Sequence, residues 1–295
     1  MKFETITSKD VLPMIIDFHT HTFPPAIAAA AVQRMSDASA LTLFCDGTDA
    51  ALLASMDAAG IDRSVVLPVV TNPVKTASIN DFSARCNEKR GRVFHLGGLH
   101  PDTPDLPAEA ARAARLGLRG VKVHPVYQRT DFNDIRFLRL LEAAGENGLF
   151  VVTHAGLDVG FPGAEHAAVP KIEDALRQVG PVALVLAHMG GWKQWAQAEA
   201  LAAYPNVLID AAFSFGRIQP KREGRFADDE LPLMDEAAFL RQVRIFGAHR
   251  VLFGTDSPWA SQKDALSAVR ALPLTDEEKD TILYKNAEKL LHEEA

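Results

Sequence analysis

Cysteine is almost missing from this sequence: only Cys45 and Cys86 occur among 295 residues. A disulfide framework and a metal cluster built on cysteines are thereby excluded, and a reducing, cytoplasmic compartment is the expectation. No run approaches the ~18 consecutive apolar residues that a membrane-spanning helix requires. The opening residues MKFETITSKD lack the basic-then-apolar pattern of a secretory signal. A basic stripe is lacking as well. The formal charge is −7, spread along the chain, which argues against a nucleic-acid partner and against an acidic membrane surface. Domain linkers and low-complexity tracts are likewise missing. A small-molecule substrate is the partner these exclusions leave.

Apolar residues, at 47%, are ample for a large core. They fall into eight short β-rich runs, at about Met14–Phe18, Ser64–Val70, Val93–Gly97, Gly120–Val123, Leu149–Thr153, Val182–Ala187, Val207–Asp210 and Val251–Gly254. Near-continuous hydrophobicity suits parallel strands covered on both faces. The intervening segments have helical spacing. Pro104–Leu116 stops before Gly117, Asp131–Asn147 stops before Gly148, and Thr275-Asp-Glu-Glu278 is a capping box opening a last helix towards Leu291. Eight strand–helix units predict an α/β fold, a (β/α)8 TIM barrel, as one domain over residues 1–295 with an N-terminal extension at 1–13. Two long loops, Leu157–Pro170 and Phe213–Asp235, both follow strands, on the face where barrel active sites sit.

The strand ends carry the chemistry. Asp17-Phe18-His19-Thr20-His21 closes the first strand. Side chains alternate along a strand, so His19 and His21 are expected side by side, where two imidazoles can share one ion. Asp17 falls on the same face, placed to orient a ligand or to cap backbone. Other strands finish in His154-Ala-Gly156, His188-Met-Gly-Gly191 and Gly254-Thr-Asp256-Ser-Pro258. In a barrel these ends converge on one mouth. Imidazole and carboxylate without thiolate suit a divalent Zn, Mn, Fe or Ni ion, with zinc the default for hydrolysis. An ion with one position open lowers the pKa of bound water towards ~7. Asp256 is the candidate to take that water's proton. His188 is the candidate to stabilise the oxyanion or protonate the leaving group.

Taken together, these segments resemble the amidohydrolase superfamily in its amidohydrolase-related (amidohydrolase 2) branch. The likeness rests on His19-Thr-His21, His154-Ala-Gly156, His188-Met-Gly-Gly191 and Gly254-Thr-Asp256-Ser-Pro-Trp259, and runs from about Met14 to Leu291. It implies a (β/α)8 barrel with His19, His21, His154 and Asp256 as ligands, commonly of one metal ion rather than two. His188 carries over as a second-metal ligand or as an acid/base. The branch contains hydrolases of amides, lactones and esters, and also nonoxidative decarboxylases of aromatic or unsaturated acids.

The fourth strand is open to two readings. Gly120-Val-Lys122-Val-His124-Pro125 sets Lys122 and His124 on one face. In binuclear members of the superfamily a lysine here is carboxylated and bridges two ions. Otherwise Lys122 stays an ammonium for a substrate carboxylate. His124 and Tyr127, with Gln128 beside them, are placed as substrate contacts. Arg217, in the long seventh loop with Lys221, Arg222 and Arg225, is a candidate clamp for an anionic substrate, against the plainer reading of a solvated loop. His100 ends the third strand as a pocket or structural residue, Asp210 ends the seventh where it can orient His188 or bind substrate, and Trp192 and Trp259 follow motif residues as pocket wall or packing. His166, His249 and His292 read as surface or structural. The leading function is a metal-dependent hydrolase of a small amide, lactone or ester. A decarboxylase on the same scaffold comes second. A non-catalytic binder comes last, because it has no need of a complete ligand set. A homodimer is a common outcome for such barrels.

Overall fold

A computed structural model describes residues 14–291, so the expected N-terminal extension and His292 lie outside the described residues. The strands are β1 (Ile16–Thr20), β2 (Arg63–Val66), β3 (Val93–His95), β4 (Gly97–Gly98), β5 (Gly120–Val123), β6 (Phe150–Thr153), β7 (Leu184–Leu186), β8 (Val207–Asp210) and β9 (Val251–Leu252). All of their pairings are parallel, in the orders β1-β2-β3 and β4-β5-β6-β7-β8-β9. The eight expected strands are therefore present, the third in two pieces. Its break falls at Leu96, whose N–H still donates to Val66 O at 3.0 Å. At the other seam the Phe18 N–H donates to Phe253 O at 2.8 Å, and Thr20 bridges Ser257. Backbone hydrogen bonds at both seams thus join the two sheets in this (β/α)8 barrel.

Helices cover the outside. Asp134 caps Ile135–Glu146, whose Phe137, Leu138, Leu140 and Leu141 are buried at helical spacing. Thr275 and Glu278 form the capping box as expected. The helix it opens reaches Leu291 through a π-helical turn at Thr281–Lys285. Ile16, Phe18, Val65, Leu67, Phe150, Val152, Val185 and Leu252 make one apolar cluster, contributed by alternate strand positions. A larger cluster joins the opposite strand faces to the helices.

That division corrects the expected placement of Asp17. Phe18 belongs to the strand cluster, while Asp17 faces the other way and accepts from Gln262 Nε2 at 2.7 Å, in helix Gln262–Ala271. Plain alternation would carry His19 and His21 outward with it. Instead the β1–β2 register shifts between Asp17 and Thr20, which re-aims the residues that follow. Asp17 fixes this irregular end by accepting from His19 N (3.2 Å), Thr255 N (3.0 Å) and Thr255 Oγ1 (2.6 Å). Burial pushes its carboxyl up to about 7, against those hydrogen bonds.

Candidate metal centre

His19 Nε2 and His21 Nε2 lie 3.2 Å apart, and Asp256 Oδ1 is 3.3 and 3.1 Å from them. Ligands held about 2.05 Å from a tetrahedral ion stand about 3.3 Å from one another. The triangle therefore already has the dimensions of a coordination face. Beside it, His188 Nε2 and His154 Nδ1 are 3.1 Å apart, and the His188 ring centroid lies 5.4 Å from that of His19.

The far nitrogen of each ring is committed to an acceptor. His19 Nδ1 donates to Asp210 Oδ2 (2.8 Å), His21 Nδ1 to Leu67 O (2.9 Å), His188 Nδ1 to Ala212 O (2.9 Å) and His154 Nε2 to Leu157 O (2.8 Å). A neutral imidazole carries one proton. Those four acceptors claim it, so the lone pairs of His19 and His21 face the Asp256 carboxylate, and those of His154 and His188 face each other beside it. Burial, with Lys122 adding to it, holds His154 down to about 4; burial and His154 do the same for His188. Burial raises the Asp256 carboxyl, but contact with His21 and the nearness of His19 and His188 outweigh it, and the net direction is down. Neutral imidazoles around an ionised carboxylate are the donor set that a divalent cation fits.

Backbone strain marks the same places. His188 and Asp256 have φ of +61° and +68°, a left-handed conformation that side chains other than glycine rarely adopt. Each lies beyond its strand, since β7 ends at Leu186 and β9 at Leu252, and the tight turn swings it back over the mouth. Gly156 permits a comparable closure: its Cα approaches the turn after β7 so closely that a Cβ would lie 2.3 Å from Trp192 N. The loop after β6 is thereby pinned beside the loop after β7.

The amidohydrolase family profile matches residues 16–292. The chain belongs to the amidohydrolase family. No curated protein matches the sequence. Among solved structures this amidohydrolase is similar to an uncharacterized TIM-barrel protein from Bordetella bronchiseptica, with a TM-score of 0.71 and 20% identity over 95% of this chain and 98% of that one. It is also similar to a Pseudomonas putida protein described as a 2-pyrone-4,6-dicarboxylic acid hydrolase (TM-score 0.64, 21% identity, 96% and 98% covered). A third is the 5-carboxyvanillate decarboxylase of Novosphingobium aromaticivorans, solved with bound manganese (TM-score 0.65, 16% identity, 95% and 97% covered).

The amidohydrolase mouth opens into a cavity of about 670 Å³. His19, His21, His154, His188 and Asp256 line it, and so do Lys122, His124, Tyr127, Trp192 and Trp259. Lys122 is fully buried; burial pulls its ammonium down to about 8, and Asp210 and Asp256 pull the other way. His124 stacks on His154 with centroids 4.4 Å apart, and Tyr127 meets it edge-on. Gln128 stays out of the cavity wall: it donates to Val70 O and Leu99 O and accepts from His124 N.

Arg217 is not brought to this mouth. Its side chain is 57% exposed, 4.0 Å from Asp228, in a loop that folds on itself through bridges to Pro232 and from Phe215 to Met234. Arg222 and Arg225 are exposed, and Lys221 holds Asp37 on the surface. The sequence signal was composition alone, and a loop of this length has no periodicity from which to read direction. Arg217→Ala is expected to leave kcat and KM within about twofold; steady-state kinetics would show it. His100 is also outside the cavity, its Nδ1 accepting from Asp102 N.

Two sets of residues escaped the sequence reading. Asp158, four residues after His154, lines the cavity with its Oδ2 3.6 Å from His124 Nε2 and 3.8 Å from His154 Nε2. Burial pushes its carboxyl up to about 6. Arg34 and Arg85, both from helices on the second-strand side, reach the cavity rim. Asp210, expected at the seventh strand end to orient His188 or bind substrate, accepts from His19 Nδ1 through one oxygen and from the backbone of His188 and Ala212 through the other. Asp210→Asn is expected to weaken metal affinity about 10–100-fold while the fold survives; a chelator competition titration reads this directly.

Proposed function

We propose that this amidohydrolase is a metal-dependent hydrolase of a small amide, lactone or ester that carries a carboxylate, with one divalent ion held by His19, His21, His154 and Asp256. The observation that carries the reading is the convergence of the His19 and His21 nitrogens on the Asp256 carboxylate, each ring fixed from behind by its own acceptor, with His154 lining the same cavity. A divalent ion there, zinc by default with manganese, iron and nickel as alternatives, supplies Lewis acidity towards a substrate oxygen and acidifies water.

The protein's own groups supply the rest. The Asp256 carboxylate accepts a proton from the water that attacks the scissile carbonyl. His188 Nε2, beside His154 Nδ1 in the same cavity, takes that proton on and delivers it to the leaving atom. Lys122 binds the substrate carboxylate as an ammonium, and Arg34 and Arg85 favour anions at the rim. His124 and Tyr127 bracket the substrate, while Trp192, Phe213 and Trp259 keep that wall apolar.

Decarboxylation on the same residues is the second reading. It is favoured by Asp158: a buried carboxyl pushed up to about 6 beside His124 takes up a proton far more readily than an ordinary aspartate, and can pass it to the carbanion left by departing CO2. The manganese-bound relative named above acts in that way by its description. The test offers ion-loaded protein to carboxylated lactones, esters and amides and to hydroxybenzoic acids, following acid release and CO2 together. Acid without CO2 supports hydrolysis, and CO2 in step with substrate loss selects the second reading. Turnover that survives complete chelation contradicts both.

A further inference from the structure

A second group of ligand-competent side chains lies apart from the strand-end histidines. Asp49, Cys86 and His95 present a carboxylate oxygen, a sulfur and an imidazole nitrogen that all lie within 4.8 Å of one another. They come from three elements: the first turn of helix Asp49–Ala59, the last turn of helix Thr76–Asn87 and the end of β3. His95 also lines the cavity of about 670 Å³, but none of the three is among the ligands assigned at the strand ends.

Each donor is held from behind. Asn87, next to Cys86, clamps His95 in both directions: the His95 N–H donates to Asn87 Oδ1, and Asn87 Nδ2 donates to His95 O, both at 2.8 Å. The sulfur-bearing turn and the imidazole-bearing strand are thereby locked together. Phe82 meets the His95 ring edge-on at 6.1 Å and 83°, and that side chain is 3% exposed. Thr22 Oγ1 donates to Asp49 Oδ1 at 2.6 Å, leaving Oδ2 3.2 Å from His95 Nε2. Asp49 itself is 40% exposed, so the group is open to solvent on one side.

We propose that Asp49, Cys86 and His95 form an accessory site for a thiophilic divalent cation, with zinc as the natural class of occupant and solvent completing its coordination. One sulfur, one imidazole and one carboxylate make a borderline-soft set that favours zinc, cobalt or cadmium over magnesium or calcium. The thiol is protonated until an ion arrives, because burial and then Asp49 push it up. Binding therefore releases a proton. Arg85 and Lys89 are the positive charges felt there, and they oppose a cation. The accessory site is accordingly the weaker of the two. Thr22 links it to the turn that carries His21, so occupancy braces that turn.

The test titrates chelator-stripped full-length protein with cadmium, reading the ultraviolet thiolate-to-cadmium charge-transfer band and the ions bound per chain, with circular dichroism as the check on folding. The wild type and Cys45→Ser should both show the band. Cys86→Ser should lose the band and one ion, and keep the tighter ion. His95→Gln keeps the sulfur, and should weaken the band-forming step more than about tenfold. A folded wild type without the band, a band that persists in Cys86→Ser, or one unchanged in His95→Gln would each overturn the proposal.

Discussion

Replacing Asp256 with asparagine is expected to cost the protein both its ion and its turnover. The carboxylate is the single anionic donor in the triangle with His19 and His21, and the asparagine amide brings no charge. Metal affinity should fall more than about a hundredfold, beyond what loss of a supporting hydrogen bond does. The kcat should fall about 10³-fold or more, because the proton acceptor goes with the ligand. His19→Ala should lose the ion equally. It also frees Asp210, which is fully buried and gives His19 one of its two oxygens. Dialysis against zinc followed by elemental analysis, with kcat/KM on the same samples, separates the two effects. Falling pH should imitate these variants, since protons compete for the same nitrogens. With His154 held near 4, that ligand stays unprotonated through neutrality and gives up the ion only in acid.

His188→Asn is expected to behave differently: the ion is kept while kcat falls about 10²–10⁴-fold. The distinction follows from position. His188 Nε2 faces His154 Nδ1 at 3.1 Å rather than the triangle, and its other nitrogen is tied to Ala212 O. It is therefore placed to handle a proton next to the coordination face. KM should change less than kcat, because the substrate carboxylate is assigned to Lys122. If His188→Asn instead released an ion in proportion to the lost rate, His188 would be a ligand of a second metal. The carboxylated form of Lys122 would then return as the bridge between the two.

Much of this site could be read from local sequence, and the reason is the fold. In a parallel barrel every strand ends at the same mouth, so a polar residue closing an apolar run already has an approximate address. His19, His21, His154, His188 and Asp256 each had that signature, and all five line the cavity. Details set by pairing were not legible in the same way. The register shift in β1 depends on how β2 and the 255–257 turn meet it, and it sends Asp17 outward while His19 turns in. The positive φ of Asp256 likewise appears only once its turn is closed. Loop residues were harder still. Asp158 reaches His124 because Gly156 seats its loop against Trp192, a contact between segments 36 residues apart. Arg217 had the right chemistry and the wrong direction. Cys86, dismissed with Cys45 as too little sulfur for a cluster, gains a meaning only beside His95 and Asp49.

The central claim is that one ion sits among His19, His21, His154 and Asp256, and elemental analysis tests it most directly. The measurement belongs in a Cys86→Ser background, so that the mouth alone is counted. Protein reloaded with zinc and dialysed should hold one ion per chain in that background, and none once His19→Ala is added. An ion retained after His19→Ala would contradict the account. So would two ions per chain in the parent that fall together when Lys122 is replaced by alanine.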